Sequence, residues 1–175
     1  MGRKIILNLA ISLDGYIADE DGRYDWIEGD GNNQLNTEKP FNFTEFLDGV
    51  DTVVMGKKAY DDCDIEEYKT KHVIVATSQG LESHHNVEFV HDDICSYIGR
   101  LRQKEGKDIW LFGGSGLTDC FIKADIVDEY IIGIIPIILG KGRPLFFGSN
   151  PTIKLHLDEY IVENGITILR YSKRF

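Results

Sequence analysis

Residues 109–117 read IWLFGGSGL: four apolar residues, two glycines, then Ser115 and Gly116 ahead of a helical pattern in which Leu117, Cys120, Phe121 and Ala124 fall at i, i+3, i+4 and i+7. A short apolar run stopped by glycine and followed by an amphipathic helix is a strand-to-helix unit. The same alternation extends in both directions. Residues 5–11 (IILNLAI) form a nearly continuous apolar run, the pattern of a strand covered on both faces. Residues 52–55, 72–76, 87–90 and 130–139 are runs of the same kind, the last read as one core strand. Helical spacing links Phe43, Phe46, Leu47 and Val50, and again Ile94, Tyr97, Ile98 and Leu101. Strand and helix alternating over 51–136 predict right-handed crossovers and an α/β fold: a mixed, mainly parallel sheet with helices on both faces. Asn164-Gly165, between apolar segments 160–163 and 166–171, predicts a type I′ turn and an antiparallel hairpin at the end of the chain. With no internal repeat and no linker-like stretch, residues 1–175 read as a single domain.

Composition narrows the function. The chain has 175 residues, 42% hydrophobic and 27% charged, so a folded domain buries enough surface to stand without staples. Its 29 acidic against 19 basic residues give a net charge of -10, which repels nucleic acid and acidic membranes in the absence of a basic patch. The amino terminus meets Asn8 and Asp14 before a secretory signal is complete, and the longest apolar run is too short to span a bilayer. Cys63, Cys95 and Cys120 are widely spaced with no CxxC pair, and read as reduced, buried thiols of a cytoplasmic protein.

Residues 14–40 form a long polar loop, of a kind that is functional or disordered in a compact domain. Its acids lack the spacing of a calcium loop, and the five histidines show neither zinc spacing nor a triad, so no metal site is expected.

Three strand ends carry nucleotide chemistry. Gly113, Gly114, Ser115 and Gly116 precede a helix whose free N–H groups favour an anion; the alternative is a tight turn with Ser115 as its cap. In VVMGKKAYD, Gly56 is followed by Lys57 and Lys58 at a helix start, where cations oppose the dipole unless an anionic ligand is present; the alternative is a solvated pair. Thr77 and Ser78 set hydroxyls just past a third strand. Together these suggest one nucleotide across the carboxyl edge of the sheet.

The ordered set SLDGYIA (12–18), VVMGKKAY (53–60), VATSQG (75–80), IWLFGGSGL (109–117) and DEYIIGIIPIILGKGRPLF (128–147) resembles the dihydrofolate-reductase-like superfamily, and within it the reductase domain of the riboflavin-pathway deaminase/reductase. The resemblance implies about eight strands and bound NADPH. It implies that Ala10 and Ile17 offer main-chain groups to the nicotinamide carboxamide, that Gly113, Gly114 and Ser115 cradle the pyrophosphate, and that Lys57 and Ser78 hold the 2′-phosphate. Lys57 replaces the family's usual Arg, and Ala59 stands where a Thr commonly meets phosphate.

On the substrate side the resemblance points to Asn8, the polar break in an apolar strand, and to the loop residues Asp25 and Trp26 and the helix residue Phe46. Asn8 has an internal hydrogen-bond partner as its alternative, and Trp26 an anchoring role. No proton donor is assigned. The expectation is an NADPH-dependent reductase, a homodimer, passing hydride to a small heterocycle or sugar-derived imine, similar to 5-amino-6-(5-phosphoribosylamino)uracil reductase. The alternative is a non-catalytic nucleotide- or flavin-binding homodimer of the same fold.

Overall fold

The computed structural model describes residues 2–174. Strands β1 (Ile5–Ser12), β3 (Val50–Gly56), β4 (His72–Ala76), β5 (Val87–Val90), β6 (Asp108–Gly113) and β7 (Glu129–Ile135) are mutually parallel, and the hairpin β9 (Leu155–Glu163) and β10 (Ile166–Lys173) adds to β7 antiparallel. The eight-stranded order is β5-β4-β3-β6-β1-β7-β10-β9. A separate ribbon pairs β2 (Tyr16–Ala18) with β8 (Arg143–Pro144). The mixed sheet and the closing hairpin agree with the sequence reading. At the turn Asn164 and Gly165 have φ of 50° and 84°, the left-handed pair a type I′ hairpin requires.

Helices α1 (Phe43–Asp48) and α2 (Lys57–Asp62) cover one face, and α3 (Ile94–Leu101) and α4 (Ser115–Lys123) the other. The two-residue period of β1 explains how one strand serves both: Ile5 and Leu7 enter the core under α3 and α4, whereas Ile6 faces the α1 side with Trp110 and Ile131. Local chemistry fixes the helix starts. The Asn42 side chain accepts the Glu45 N–H at 3.0 Å, and Asp93 accepts Ser96 N–H at 3.1 Å. The Ser96 contacts hold the Asp93 carboxyl below its usual range.

Three expectations are corrected. The run at 130–139 is not one strand: β7 stops at Ile135, and beyond Pro136 the chain turns, with Ile137 N–H donating to Ile135 O at 2.7 Å. This turn is pinned by Asp14, which accepts Leu139 and Gly140 N–H at 3.1 and 2.8 Å; the Ser12 hydroxyl beside it is the chief reason its carboxyl lies below the usual range. The cysteines are not three separate buried thiols. Cys120 is exposed, and its sulfur lies 2.9 Å from that of Cys95 across α3 and α4, with burial the first of the causes pushing Cys95 up to about 12. The segment 14–40 is not all loop. It contains β2, and its later part is tied to the β9–β10 tip: Thr37 N–H donates to Val162 O at 2.9 Å, and Asn164 N–H to Asn36 Oδ1 at 2.7 Å. Among the described residues, no helix is long and apolar enough to cross a membrane.

Gly29 is the tightest point of that attachment, because a Cβ there falls 2.1 Å from the Asn164 carbonyl oxygen. Gly29→Ala is expected to lower stability by about 1–3 kcal/mol, the usual cost of overpacking, and to speed proteolysis within 30–40. Gly80→Ala, with no atom within 4 Å of the new Cβ, is the matched control and is expected to leave both unchanged.

Candidate functional site

Strand β1 has parallel partners on both sides at its start but not at its end. Ile5, Ile6 and Leu7 pair with Ile109, Trp110 and Leu111 of β6, and there that ladder stops. On the other side β1 stays paired with β7 as far as Ser12 opposite Ile135. Strand β6 instead follows β3, with a register irregularity that brings Met55 opposite Gly113. The parting opens a cleft between β1 and β6, and the Trp110 indole N–H fills the first gap by donating to the Asn8 carbonyl at 3.1 Å. Trp110 is in turn held by the edges of Phe43, Phe46 and Tyr68, with centroids 5.7, 5.4 and 5.8 Å away.

Two cavities occupy the cleft. The larger, about 450 Å³, lies against the sheet face between Phe41, Phe43, Trp110 and Phe112, over Asn8, Ala10 and Gly133. The smaller, about 270 Å³, runs from Ile17 and Tyr24 to Lys58, Gly113, Gly114 and Arg143. Leu9, Ala10, Ile27 and Phe112 line both, so the two spaces form one groove whose charged side chains, Lys58, Asp62 and Arg143, all lie at one end.

At that end two backbones come close. Gly56 is the residue before α2 and Gly114 the residue before α4, and a Cβ on Gly114 would lie 3.9 Å from Gly56 Cα. Gly113 and Gly114 have φ of 128° and 81°, which excludes other residues without strain. No side chain caps α4, so Ser115 is its first residue rather than its cap, and the opening N–H groups face outward from the helix with the positive end of its dipole. Gly116 has open space about it. Gly113 and Gly114 line the smaller cavity, whereas Gly56, Ser115 and Gly116 line neither; bare glycine backbone beside an uncapped helix start is a cradle whose chemistry fits a phosphate group.

The flanking cations differ from expectation. Lys57 is not free: its ammonium meets both carboxylate oxygens of Asp61 at 2.6 and 2.7 Å, one turn along α2, which accounts for a lysine at a helix start. Lys58 lines the groove with Arg143, which the sequence reading left unassigned within GKGRPLF, and with one acid, Asp62. Thr77 and Ser78 sit past β4, next to β3, but line neither cavity; the Thr77 hydroxyl accepts Gln79 N–H at 3.1 Å in a local turn.

On the substrate side the structure keeps Asn8 and moves the others. The Asn8 Nδ2 group is buried without a partner at the cavity wall, so the internal-partner alternative fails for that atom. Phe46 is buried in the core behind Phe43, and Phe43 takes the lining position one helical turn earlier. Trp26 donates its indole N–H to Arg23 O at 3.1 Å and anchors the loop on itself; its neighbour Ile27 lines the groove. Asp25 lines neither cavity; with Arg23 it lines an open recess that shares Tyr24, Lys58 and Asp62 with the smaller cavity. Ile17 and Ala10 line the smaller cavity, and Ala10 the larger one as well. Among the described residues no group of three potential metal ligands occurs.

Comparison with known proteins agrees with this fold. The family model described as the RibD C-terminal domain matches residues 3–164. The uncharacterised proteins YwjB and YyaP of Bacillus subtilis (strain 168) are 36% and 34% identical, YwjB covering 90% of both chains and YyaP 89% of this chain and 86% of its own. A structure of a protein assigned to riboflavin biosynthesis from Shewanella sp. PV-4 superposes with TM-score 0.80 at 30% identity, covering 100% of both chains. The deaminase/5-amino-6-(5-phosphoribosylamino)uracil reductase of Thermotoga maritima shares the fold, with TM-score 0.69 at 18% identity; this chain spans 99% of its own length and 57% of that protein.

The indole contact generates a test. Trp110→Phe keeps most of the aromatic packing but strands the Asn8 carbonyl, and is expected to cost about 1–3 kcal/mol in urea unfolding. Trp26→Phe, outside the core, is expected to change stability by less than about 0.5 kcal/mol.

Proposed function

The chain belongs to the RibD C-terminal domain family, and from that premise we propose that it is an NADPH-dependent reductase that passes hydride to a small conjugated heterocycle or imine bound in the apolar end of the groove. The observation that carries this reading is the continuity of the groove. The smaller cavity, lined by Gly113, Gly114, Lys58 and Arg143 beside the uncapped start of α4, joins the apolar chamber across Leu9, Ala10, Ile27 and Phe112, so a dinucleotide seated in the first would end beside the second. When bound, NADPH supplies the hydride. The protein's share is to bind and orient: the α4 N–H groups face the pyrophosphate, Lys58 and Arg143 offset its charge, and the aromatic walls exclude water from the reacting carbon.

A second reading is supported by one observation. No titratable side chain lines the apolar chamber among the described residues, so no group there is placed to deliver a proton. A nucleotide-binding protein without turnover fits that fact, and so does a reductase whose product takes its proton from water. Stoichiometric NADPH oxidation with an identified reduced product rejects the first; tight NADPH binding with no oxidation across pteridine, pyrimidine ribosylamine and quinone acceptors rejects the second.

Two variants test the cofactor end. Gly56 has an ordinary φ of -76°, and a Cβ there comes no closer than 3.9 Å to any atom. Gly56→Val is therefore expected to leave the melting temperature nearly unchanged and to weaken NADPH at least tenfold by placing its branch beside Gly114 in the cradle. Unaltered affinity in the folded variant would remove the cradle from the proposal. Asp61→Asn releases Lys57 from a surface pair worth less than about 1 kcal/mol, and is expected to tighten NADPH two- to fivefold by calorimetry while leaving NADH unchanged. An equal effect on both cofactors would mean that Lys57 does not meet the 2′-phosphate.

A further inference from the structure

We infer that the apolar chamber accepts a flat, uncharged ring compound with one exposed carbonyl or imine, and rejects acceptors that carry a phosphate or carboxylate. The inference rests on the reductase reading and names the substrate class within it.

Asn8 is the one polar residue with an unengaged side-chain group among the described residues lining the chamber, and no Lys, Arg, His, Asp or Glu lines it. An anionic group brought inside would lose its water and meet no cation, which is strongly unfavourable. The ends of the chamber offer no remedy. Beyond Phe41 lies a recess of about 290 Å³, where Lys4, Lys39 and Arg170 are outnumbered by Glu45, Asp108, Glu129 and Glu159. Lys4 and Arg170 are already paired there with Glu129 and Glu159. At the opposite end, Lys58 and Arg143 belong to the cofactor cradle.

Shape argues for a flat guest. Ala10 and Gly133 are register partners on β1 and β7 and form the lowest part of the floor. A Cβ on Gly133 would lie 3.8 Å from both Ala10 Cβ and Ile166 Cγ2, so the missing methyl leaves usable depth without relieving a clash. Phe43, Trp110 and Phe112 stand as aromatic walls on one side and Ile166 and Ile168 close the other, a slot that suits a ring lying on the sheet.

Asn8 sets the polarity of the guest. Its Nδ2 is buried with no partner in the protein, and a buried unpaired amide costs about 1–3 kcal/mol, which a ligand carbonyl oxygen or ring nitrogen would recover once the amide turns toward the chamber that Asn8 lines. The reaction follows with its atoms accounted for. A C–H bond forms at the electrophilic ring carbon with the hydride pair given up by the reduced nicotinamide, the π pair moves to the heteroatom facing Asn8, and water protonates that heteroatom. The Asn8 N–H stabilises the charge as it develops there, so no protein acid is needed.

Calorimetry with lumazine and lumazine-6-carboxylate, a pair differing by one anionic group, tests the chamber without relying on turnover. Lumazine is expected to bind at least tenfold more tightly. Asn8→Leu is expected to weaken lumazine about tenfold with NADPH affinity unchanged, and Ile166→Arg, which adds a cation at the wall, to reverse the preference. Circular dichroism checks that both variants fold; the comparison of the two probes on the unaltered protein needs neither. Equal affinities, a preference for the carboxylate, or no binding of either probe overturns the inference, as does tighter binding of the phosphoribosylamino pyrimidine. If lumazine binds as expected while no acceptor, quinone or pteridine, consumes NADPH, the reductase reading falls and the neutral chamber stands.

Discussion

The site depends on a single divergence in the sheet: β6 accompanies β1 for three residue pairs and then parts from it, while staying paired with β3 along its length. A parallel sheet buried on both faces tolerates such a gap only if the freed backbone groups find other partners. Trp110 meets that demand for the Asn8 carbonyl, and its own position is fixed by three aromatic edges from α1 and the turn before β4. The cleft is thus braced open by a rigid aromatic cluster. Its far end is where Gly56 and Gly114, the residues that begin two helices, come within contact distance.

The two ends of the groove differ in solvation, and the difference follows from which face and which end of the sheet each occupies. At the carboxyl edge, helix dipoles, bare glycine backbone and Lys58 with Arg143 suit a polyanion, even in a chain of net charge -10. On the flat of the sheet, alternate residues of β1, β6, β7 and β10 present Ala10, Phe112, Gly133 and Ile168, and charge is absent. On the proposed function, the hydride crosses from the first environment to the second.

The strand-helix alternation, the turn at Asn164-Gly165 and the glycine turn before α4 were legible because each depends on a local pattern: period, turn chemistry or the need for positive φ. The divergence of β6 was not, since register irregularities leave no mark in the sequence of one strand. What packing decides was misread for the same reason. Phe46 and Phe43 are both apolar positions of one short helix, and only the cluster around Trp110 determines that Phe46 goes inward and Phe43 lines the cavity. Trp26 invited a role that its neighbour Ile27 fills, because the loop course is set by distant contacts with the β9–β10 tip. The pairing of Lys57 with Asp61 was also open to a sequence reading, since the two stand one helical turn apart.

The place of β1 in the sheet also bears on how the chain is made. It precedes the other strands of this sheet in chain order and lies near the centre, yet both its partners come late: Ile5 waits for Ile109, and Asn8 for Ile131. Until then the most apolar segment of the amino terminus emerges from the ribosome with no strand to join, while β3, β4 and β5 can associate behind it. Long-range parallel pairing of this kind slows folding and prolongs the exposure of sticky edges. Truncation before β7 would therefore yield not a smaller stable domain but a chain with an orphaned core strand, a natural target for chaperones.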